Sequence, residues 1–187
     1  MKKRLVLIGS LAIAGALSFG HGAYLFAKAE LAQFLLERAW ARTIHGHRDV
    51  KPWRWADTWP VARIEFPRQH RSYIVLAGAS GRTMAFGPGH VDGTESPESI
   101  GNCVISGHRD SQFAVLRDVE VGDAIVLQTR DGRSTRYRVV QHRVANRYDT
   151  SPLEPSRGRI LTLITCFPFD AIRPGGPLRY VVIARAV

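Results

Sequence analysis

The chain begins with a long apolar segment. After basic residues at positions 2–4, residues 5–27 contain no Asp, Glu, Lys or Arg over 23 positions. A helix rising about 1.5 Å per residue makes this segment roughly 35 Å long, enough to cross a hydrocarbon core of about 30 Å. The pattern predicts that residues 1–27 are a basic flank and a single membrane anchor, with the basic end in the cytoplasm and the rest of the chain across the membrane.

A cleaved signal peptide is the competing interpretation of this segment. Ala16 and Ser18 are small residues at the spacing of a cleavage site. The apolar run continues past that site, however, which favours the anchor.

Residues 28–49 connect the anchor to the remaining chain. Residues 28–43 predict an amphipathic helical stalk, with Leu31, Phe34, Leu35 and Ala39 near one face. Residues 46–67 contain four tryptophan or phenylalanine rings and three prolines. This composition predicts a linker that packs its rings on the following domain.

Short apolar runs rich in β-branched residues follow the linker and predict strands. Their spacing favours a closed or partly closed antiparallel barrel over alternating βαβ units. Asp131-Gly132 predicts a two-residue type I′ hairpin, because these residues tolerate positive φ angles. Short helical turns fit near residues 96–100 and 111–116. The predicted strands are 73–77, 103–106, 124–129, 135–140, 160–165 and 178–184.

Composition narrows the class of protein. The chain has 26 Lys and Arg against 16 Asp and Glu, and 45% hydrophobic residues. These values exclude a disordered chain, a collagen-like chain and a multi-pass membrane protein. Residues 46–187 keep 20 basic and 14 acidic residues, and the densest arginine cluster, residues 130–147, suits a solvated strand face. No nucleic-acid partner is therefore expected.

Two of the predicted strands lead into residues capable of cysteine chemistry. One ends at Cys166, and another runs through Gly107 to His108. A free thiol supplies only a few per cent of thiolate at neutral pH, and a neighbouring imidazole can activate it and later protonate a leaving amine. Arg179, at the start of the last strand, is a candidate donor to an oxyanion or to substrate carbonyls.

Other residues compete for these roles. A lone cysteine is more often a small buried hydrophobe than a nucleophile, and Cys103 is expected to pack in the core, although a disulfide with Cys166 is an alternative. Arg173 competes with Arg179 but lies in a loop. Arg109 and Asp110 could tune the histidine or form a surface ion pair.

In their order along the chain, these segments resemble the sortases, and in particular the Gram-negative (proteobacterial) class of these membrane-anchored cysteine transpeptidases. Residues 162–166 (TLITC) match the family's TLxTC, with Cys166 as the nucleophile. Residues 102–108 match its N-x-V-I-x-G-H strand, with His108 as the catalytic histidine, and residues 179–184 match the strand of its essential arginine, Arg179. Residues 51–63 resemble the Gram-negative class in particular.

The resemblance implies a mainly all-β fold, an eight-stranded sortase-type β-barrel with short helices over residues 50–187. Cys166 would attack a backbone carbonyl in a C-terminal sorting signal of an exported protein, and an amine nucleophile would resolve the thioacyl intermediate. His108 would act as general acid and base, Arg179 would stabilise the oxyanion, and Thr165 would contact substrate. The enzyme would be a single-pass protein of the inner membrane with its catalytic domain in the periplasm.

No cofactor is implied, and the remaining histidines lack a spacing typical of metal ligands, so no metal is expected. Two rival classes remain. An L,D-transpeptidase places His and Gly directly before its cysteine, whereas Ile164 and Thr165 precede Cys166 here. A membrane-tethered binding barrel without catalysis is the other rival, and the presence of all three candidate side chains argues against it.

Overall fold

The computed structural model describes residues 2–173 and 175–187, without the side chains of residues 2, 3, 5–10, 12 and 14. Within this part of the chain, eight strands close into a barrel in the order β1-β2-β3-β4-β7-β8-β6-β5. This confirms the predicted eight-stranded all-β barrel. The strands are β1 Pro60–Phe66, β2 Arg71–Ala77, β3 Gly89–His90, β4 Asn102–Ser106, β5 Ala124–Thr129, β6 Ser134–Asn146, β7 Ile160–Phe167 and β8 Leu178–Ala186.

The topology places β7 between β4 and β8. The β4–β7 pair is parallel and the β7–β8 pair antiparallel. Alternate side chains of each strand enter the barrel interior, as expected for a pleated strand. On β7 the interior face carries Leu161 and Leu163, both fully buried, and they pack with Ile105 of β4 and Val182 of β8.

The sequence prediction missed β1, because its residues were assigned to the linker 46–67. Prolines at positions 60 and 67 bound the strand. Between them Ala62, Ile64 and Phe66 are fully buried, while Arg63 and Glu65 are only half-buried. This alternation with period two is itself a strand signal. The predicted linker is therefore shorter than expected and ends at β1.

The Asp131-Gly132 hairpin is present, but its predicted type I′ geometry is wrong. Gly132 has a φ of 78°, whereas Asp131 is not among the residues with positive φ. The amide of Gly132 donates to the Thr129 carbonyl at 2.9 Å, and that of Thr129 to the Arg133 carbonyl at 2.8 Å. Three residues thus form the loop, with glycine in the left-handed position, which suits the twist of the flanking strands.

The structure describes two α-helices and two 3₁₀ helices. They are α1 Lys2–Ile44, α2 Gly81–Met84, and the 3₁₀ helices Gln112–Asp118 and Ser151–Leu153. The helical turn predicted near residues 111–116 is confirmed. The turn predicted near residues 96–100 is not helical.

The C-terminal part of α1 packs against the barrel. Leu36 and Trp40 are buried against Ile74, Leu76 and Phe86. The segment predicted as a stalk is helical, but its predicted apolar face is only partly buried, because Leu31 and Phe34 are exposed.

The predicted membrane span, residues 5–27, lies within α1. Among the described residues no helix combines sufficient length with sufficient apolar character to cross a membrane. The side chains at positions 5–10, 12 and 14 of the predicted span lie outside the described residues. The structure does not support the anchor, which stays a prediction from the sequence.

Candidate active site

Cys166 lies near the end of β7, on the face that points away from the barrel interior. Because side chains alternate along a strand, Cys166 shares its face with Thr162 and Ile164, while Leu161, Leu163 and Thr165 occupy the other. The thiol is free and half-buried. It is therefore accessible at the surface of the barrel, as a nucleophile requires.

His108 follows the end of β4, the strand that pairs with β7, which carries Cys166. The parallel register pairs Ser106 with Ile164, and the Gly107 amide donates to the Ile164 carbonyl at 3.1 Å. His108 and Cys166 each follow two residues after this pair, so the register directs both towards the same edge of the barrel. The His108 side chain is exposed, and its backbone carbonyl accepts from the Phe113 amide at 2.9 Å, at the start of the 3₁₀ helix.

Arg179 lies on the opposite side of Cys166. The two residues are direct partners in the antiparallel β7–β8 register, so their side chains project from the same face, with Cβ atoms about 5 Å apart. The Nη1 atom of Arg179 donates to the carbonyls of Gly176 and Leu178, each at 2.8 Å. In the described part of the chain no carboxylate forms an ion pair with this guanidinium, so its charge can serve a bound anion.

Thr165 does not share the face of Cys166. Its side chain is buried, and its hydroxyl donates to the Gly107 carbonyl at 2.7 Å. In this position the hydroxyl joins β7 to the segment that carries His108. The predicted contact of Thr165 with substrate stays a prediction.

Cys103 packs in the core, as predicted. It belongs to the cluster of buried side chains inside the barrel and is not disulfide-bonded. Burial, with a smaller contribution from the Glu98 carboxylate, raises the pKa of the Cys103 thiol from 9.0 to about 12. A thiol of this kind is a poor nucleophile.

The two thiols should therefore differ in reactivity. With a pKa of about 12, roughly one Cys103 side chain in 1,000 is a thiolate at pH 9, and that fraction lies inside the barrel. We expect iodoacetamide to label the native protein once, at Cys166, between pH 7 and pH 9. Peptide mapping by mass spectrometry checks this result, and Cys103→Ala is the matched control. Labelling of both cysteines at similar rates would contradict it.

Sequence reasoning missed the environment of Arg109. This side chain is 5% exposed, and it donates to carbonyls of the loop between β7 and β8. A surface ion pair with Asp110 is therefore an incomplete description, although the Nε atom does lie 3.2 Å from the Asp110 carboxylate. The available sequence signal for a role of Arg109 near the site was its position directly after His108. The competing Arg173 is exposed, in the same loop.

A cavity of about 690 Å³ opens beside the segment that carries His108. Arg109 and Asp110 line it from that segment, and Phe169 lines it from the loop that follows Cys166. Cys166 itself does not line the cavity. The Tyr180 ring lies next to Phe169, with ring centroids 5.2 Å apart, and it stacks on Phe167 and His142 with centroid distances of 6.0 and 5.7 Å.

Among the described residues, no group of three or more His, Cys, Asp or Glu side chains could hold a metal ion. The arrangement instead comprises a thiol on β7, a guanidinium on β8 and an imidazole two residues after the end of β4. Such a site can carry out nucleophilic acyl chemistry with proton transfer and oxyanion stabilisation.

The closed barrel and the three side chains of Cys166, His108 and Arg179 are those of a β-barrel protein with a candidate acyl-transfer site at its surface. A family model described as the sortase domain matches residues 64–187, and the chain belongs to the sortase family. It is 29% identical to Sortase D of Bacillus subtilis (strain 168) over 125 residues, which are 66% of this chain and 62% of that protein. The chain thus matches less than two thirds of this relative.

Solved structures show the same fold. Sortase A from Corynebacterium diphtheriae has a TM-score of 0.64 at 28% identity, covering 71% of this chain and 63% of that chain. The catalytic domain of B. anthracis SrtD has a TM-score of 0.59 at 31% identity, covering 68% and 87%. Clostridium perfringens Sortase D5 transpeptidase, at 20% identity, shows the fold alone, with a TM-score of 0.67 and coverage of 84% and 99%.

Proposed function

We propose that this protein is a cysteine transpeptidase that cleaves a C-terminal sorting signal of an exported protein and transfers the acyl group to an amine. The observation that carries this proposal is the register of three neighbouring strands. Cys166 pairs with Arg179 across β7 and β8, and Ser106 and Ile164, which pair across β4 and β7, each lie two residues before His108 and Cys166. Membership of the sortase family supports the same activity.

The reaction proceeds in two acyl transfers. The Cys166 thiolate attacks the scissile carbonyl carbon, a C–S bond forms, and the electron pair moves onto the carbonyl oxygen near the Arg179 guanidinium. As the C–N bond breaks, protonated His108 gives its proton to the leaving amine. A thioester remains on Cys166.

The second transfer reverses these roles. An acceptor amine attacks the thioester carbonyl, neutral His108 takes the proton from its nitrogen, and the thiolate leaves. Water in place of the amine gives hydrolysis. The neighbouring strands lie about 4.8 Å apart, so the imidazole and the guanidinium can approach one reacting carbonyl from opposite sides.

The experiment that tests this function is detection of a covalent thioester. The full chain is incubated with a panel of sorting-signal peptides, with and without a primary amine, and analysed by intact-protein mass spectrometry. The full chain is used because Leu36 and Trp40 of α1 pack on the barrel. A peptide adduct that the amine releases as a transfer product supports the proposal.

The rival function is a binding barrel without catalysis. It predicts that no peptide forms an adduct and that Cys166 resists alkylation between pH 6 and pH 9. That pair of results would overturn the transpeptidase proposal. The half-buried, outward position of Cys166 favours the enzyme.

Arg179 and Arg173 can be told apart by their kinetics. We expect Arg179→Lys to lower kcat/KM for thioester formation by about 10² to 10³, because a lysine ammonium cannot reproduce the guanidinium donors to the developing oxyanion. Arg173→Lys is the matched control. Because Arg173 is exposed in the loop, we expect this substitution to change kcat/KM by less than about threefold, as for other surface substitutions. A larger loss in the control than in Arg179→Lys would reverse the assignment.

We further propose that the protein belongs to the Gram-negative class and acts at the inner membrane with its barrel in the periplasm. Residues 51–63 support the class, and the uncharged segment 5–27 behind three basic residues supports the location. Protease protection in spheroplasts tests the location: the barrel is expected to be degraded from outside. Protection of the barrel would contradict it.

A further inference from the structure

Arg109 is a charged side chain in a place where charge is costly. Only 5% of the residue is exposed. A guanidinium that loses its water must be hydrogen-bonded by the protein, or the desolvation cost is not offset. The partners of this side chain therefore indicate its role.

Those partners are mainly backbone carbonyls of one loop. The loop between β7 and β8 begins at Pro168, two residues after Cys166. The Nη1 atom of Arg109 donates to the Pro168 carbonyl at 2.7 Å, and Nη2 donates to the carbonyls of Ala171 at 2.6 Å and Arg173 at 3.4 Å. The planar fork of a guanidinium can serve several acceptors in fixed directions, which a lysine ammonium on a flexible stem cannot reproduce.

A second set of hydrogen bonds joins the same two chain segments just before His108 and Cys166. The Thr165 hydroxyl donates to the Gly107 carbonyl at 2.7 Å, and the Gly107 amide donates to the Ile164 carbonyl at 3.1 Å. Hydrogen bonds therefore join the two segments immediately before His108 and Cys166. Arg109 joins them again immediately after.

We propose that Arg109 is a positioning residue of the active site, which ties the loop after Cys166 to the segment of His108 and so keeps the imidazole and the thiol in register. This inference rests on the proposed function. The same loop leads to Arg179 at the start of β8, so its attachment steadies the third member of the trio. Asp110, mostly exposed on the cavity rim, neutralises part of the charge.

The test compares Arg109→Gln and Arg109→Lys with Arg71→Gln. Arg71 is exposed on β2 and lines the same cavity, so it is the matched control. The readout is the rate of Cys166 alkylation by iodoacetamide between pH 5 and pH 9, with thermal unfolding measured in parallel. Alkylation needs no peptide, so this test does not depend on knowing the sorting signal.

We expect the pH profile of Arg109→Gln to move from the wild-type profile towards that of His108→Ala, while Arg71→Gln keeps the wild-type profile. Arg109→Lys should restore part of the wild-type profile and serves as the folded variant if the glutamine variant does not fold. With a peptide that is turned over, kcat should fall by about 10²-fold in Arg109→Gln with little change in KM, the loss that a misplacement of about 1 Å causes.

A wild-type profile in both Arg109 variants, with a changed profile in His108→Ala, would overturn the positioning role and leave the proposed function intact. Identical profiles in wild type and His108→Ala would show that the imidazole does not act on the thiol. That result would overturn the positioning role and the acid–base role of His108, whereas the transpeptidase activity itself is decided by the thioester experiment. The two failures are therefore distinguishable.

Discussion

Replacing Cys166 by alanine is expected to abolish thioester formation and transfer, with a loss in rate of at least about 10⁴-fold. In the proposed reaction both acyl transfers pass through the Cys166 sulfur, and removal of a nucleophile leaves only the contribution of binding and oxyanion stabilisation. The half-buried position of Cys166 at the end of β7 allows alanine to replace it without an interior cavity. Intact-protein mass spectrometry with a reactive peptide measures the adduct directly.

Cys103→Ala is the control for this variant. Cys103 packs inside the barrel, so its replacement should lower the free energy of unfolding by about 1 to 2 kcal/mol through lost packing and leave the adduct in place. An adduct that persists in Cys166→Ala and disappears in Cys103→Ala would show that Cys103, and not Cys166, is the nucleophile.

Replacing His108 by alanine is expected to lower kcat/KM by about 10² to 10⁴, the usual contribution of a general acid and base. Both proposed transfers would be affected, because in the proposed mechanism the imidazole protonates the leaving amine in the first and takes a proton from the acceptor in the second. Stability should change little, since the His108 side chain is exposed. Burst kinetics with an excess of amine separate the two transfers.

His142→Ala is the matched control, since this exposed ring stacks on Tyr180, next to Arg179, but lies on β6. Its kcat/KM should stay within about threefold of the wild-type value, as for surface substitutions. Equal losses in the two variants would show that an imidazole near the site has only an indirect effect on the reaction. A loss confined to His142→Ala would move the acid and base role to β6.

The candidate trio could be predicted from sequence because each member follows or begins a strand with a recognisable pattern. Residues 162–166 and 102–108 are apolar runs that end in a reactive side chain, and such ends are exposed when the strand is buried. The predicted strand 124–129 coincides with β5, and the predicted strand 160–165 ends two residues before the end of β7. Cys103 was assigned correctly to the core from its spacing of five residues from His108.

The features that the sequence failed to predict depend on contacts between residues that are distant in the chain. The first strand was hidden between two prolines, and only its pairing with β2 and β5 makes it part of the barrel. The face of α1 that is buried depends on where the barrel presents Ile74 and Leu76. The type of the Asp131-Gly132 turn follows from the register of β5 and β6, which the dipeptide alone does not specify.

Residue type and short-range pattern were sufficient to predict the candidate residues for the chemistry, the barrel class and the family resemblance. How these segments meet in space follows from strand pairing between distant parts of the chain. Cys166, His108 and Arg179 are separated by up to 71 positions in the chain, and the strands that carry or precede them become neighbours in the order β4–β7–β8. The hydrogen-bond partners of Arg109 likewise could not be predicted from sequence, because they are backbone carbonyls, which every residue possesses and only folding brings within reach.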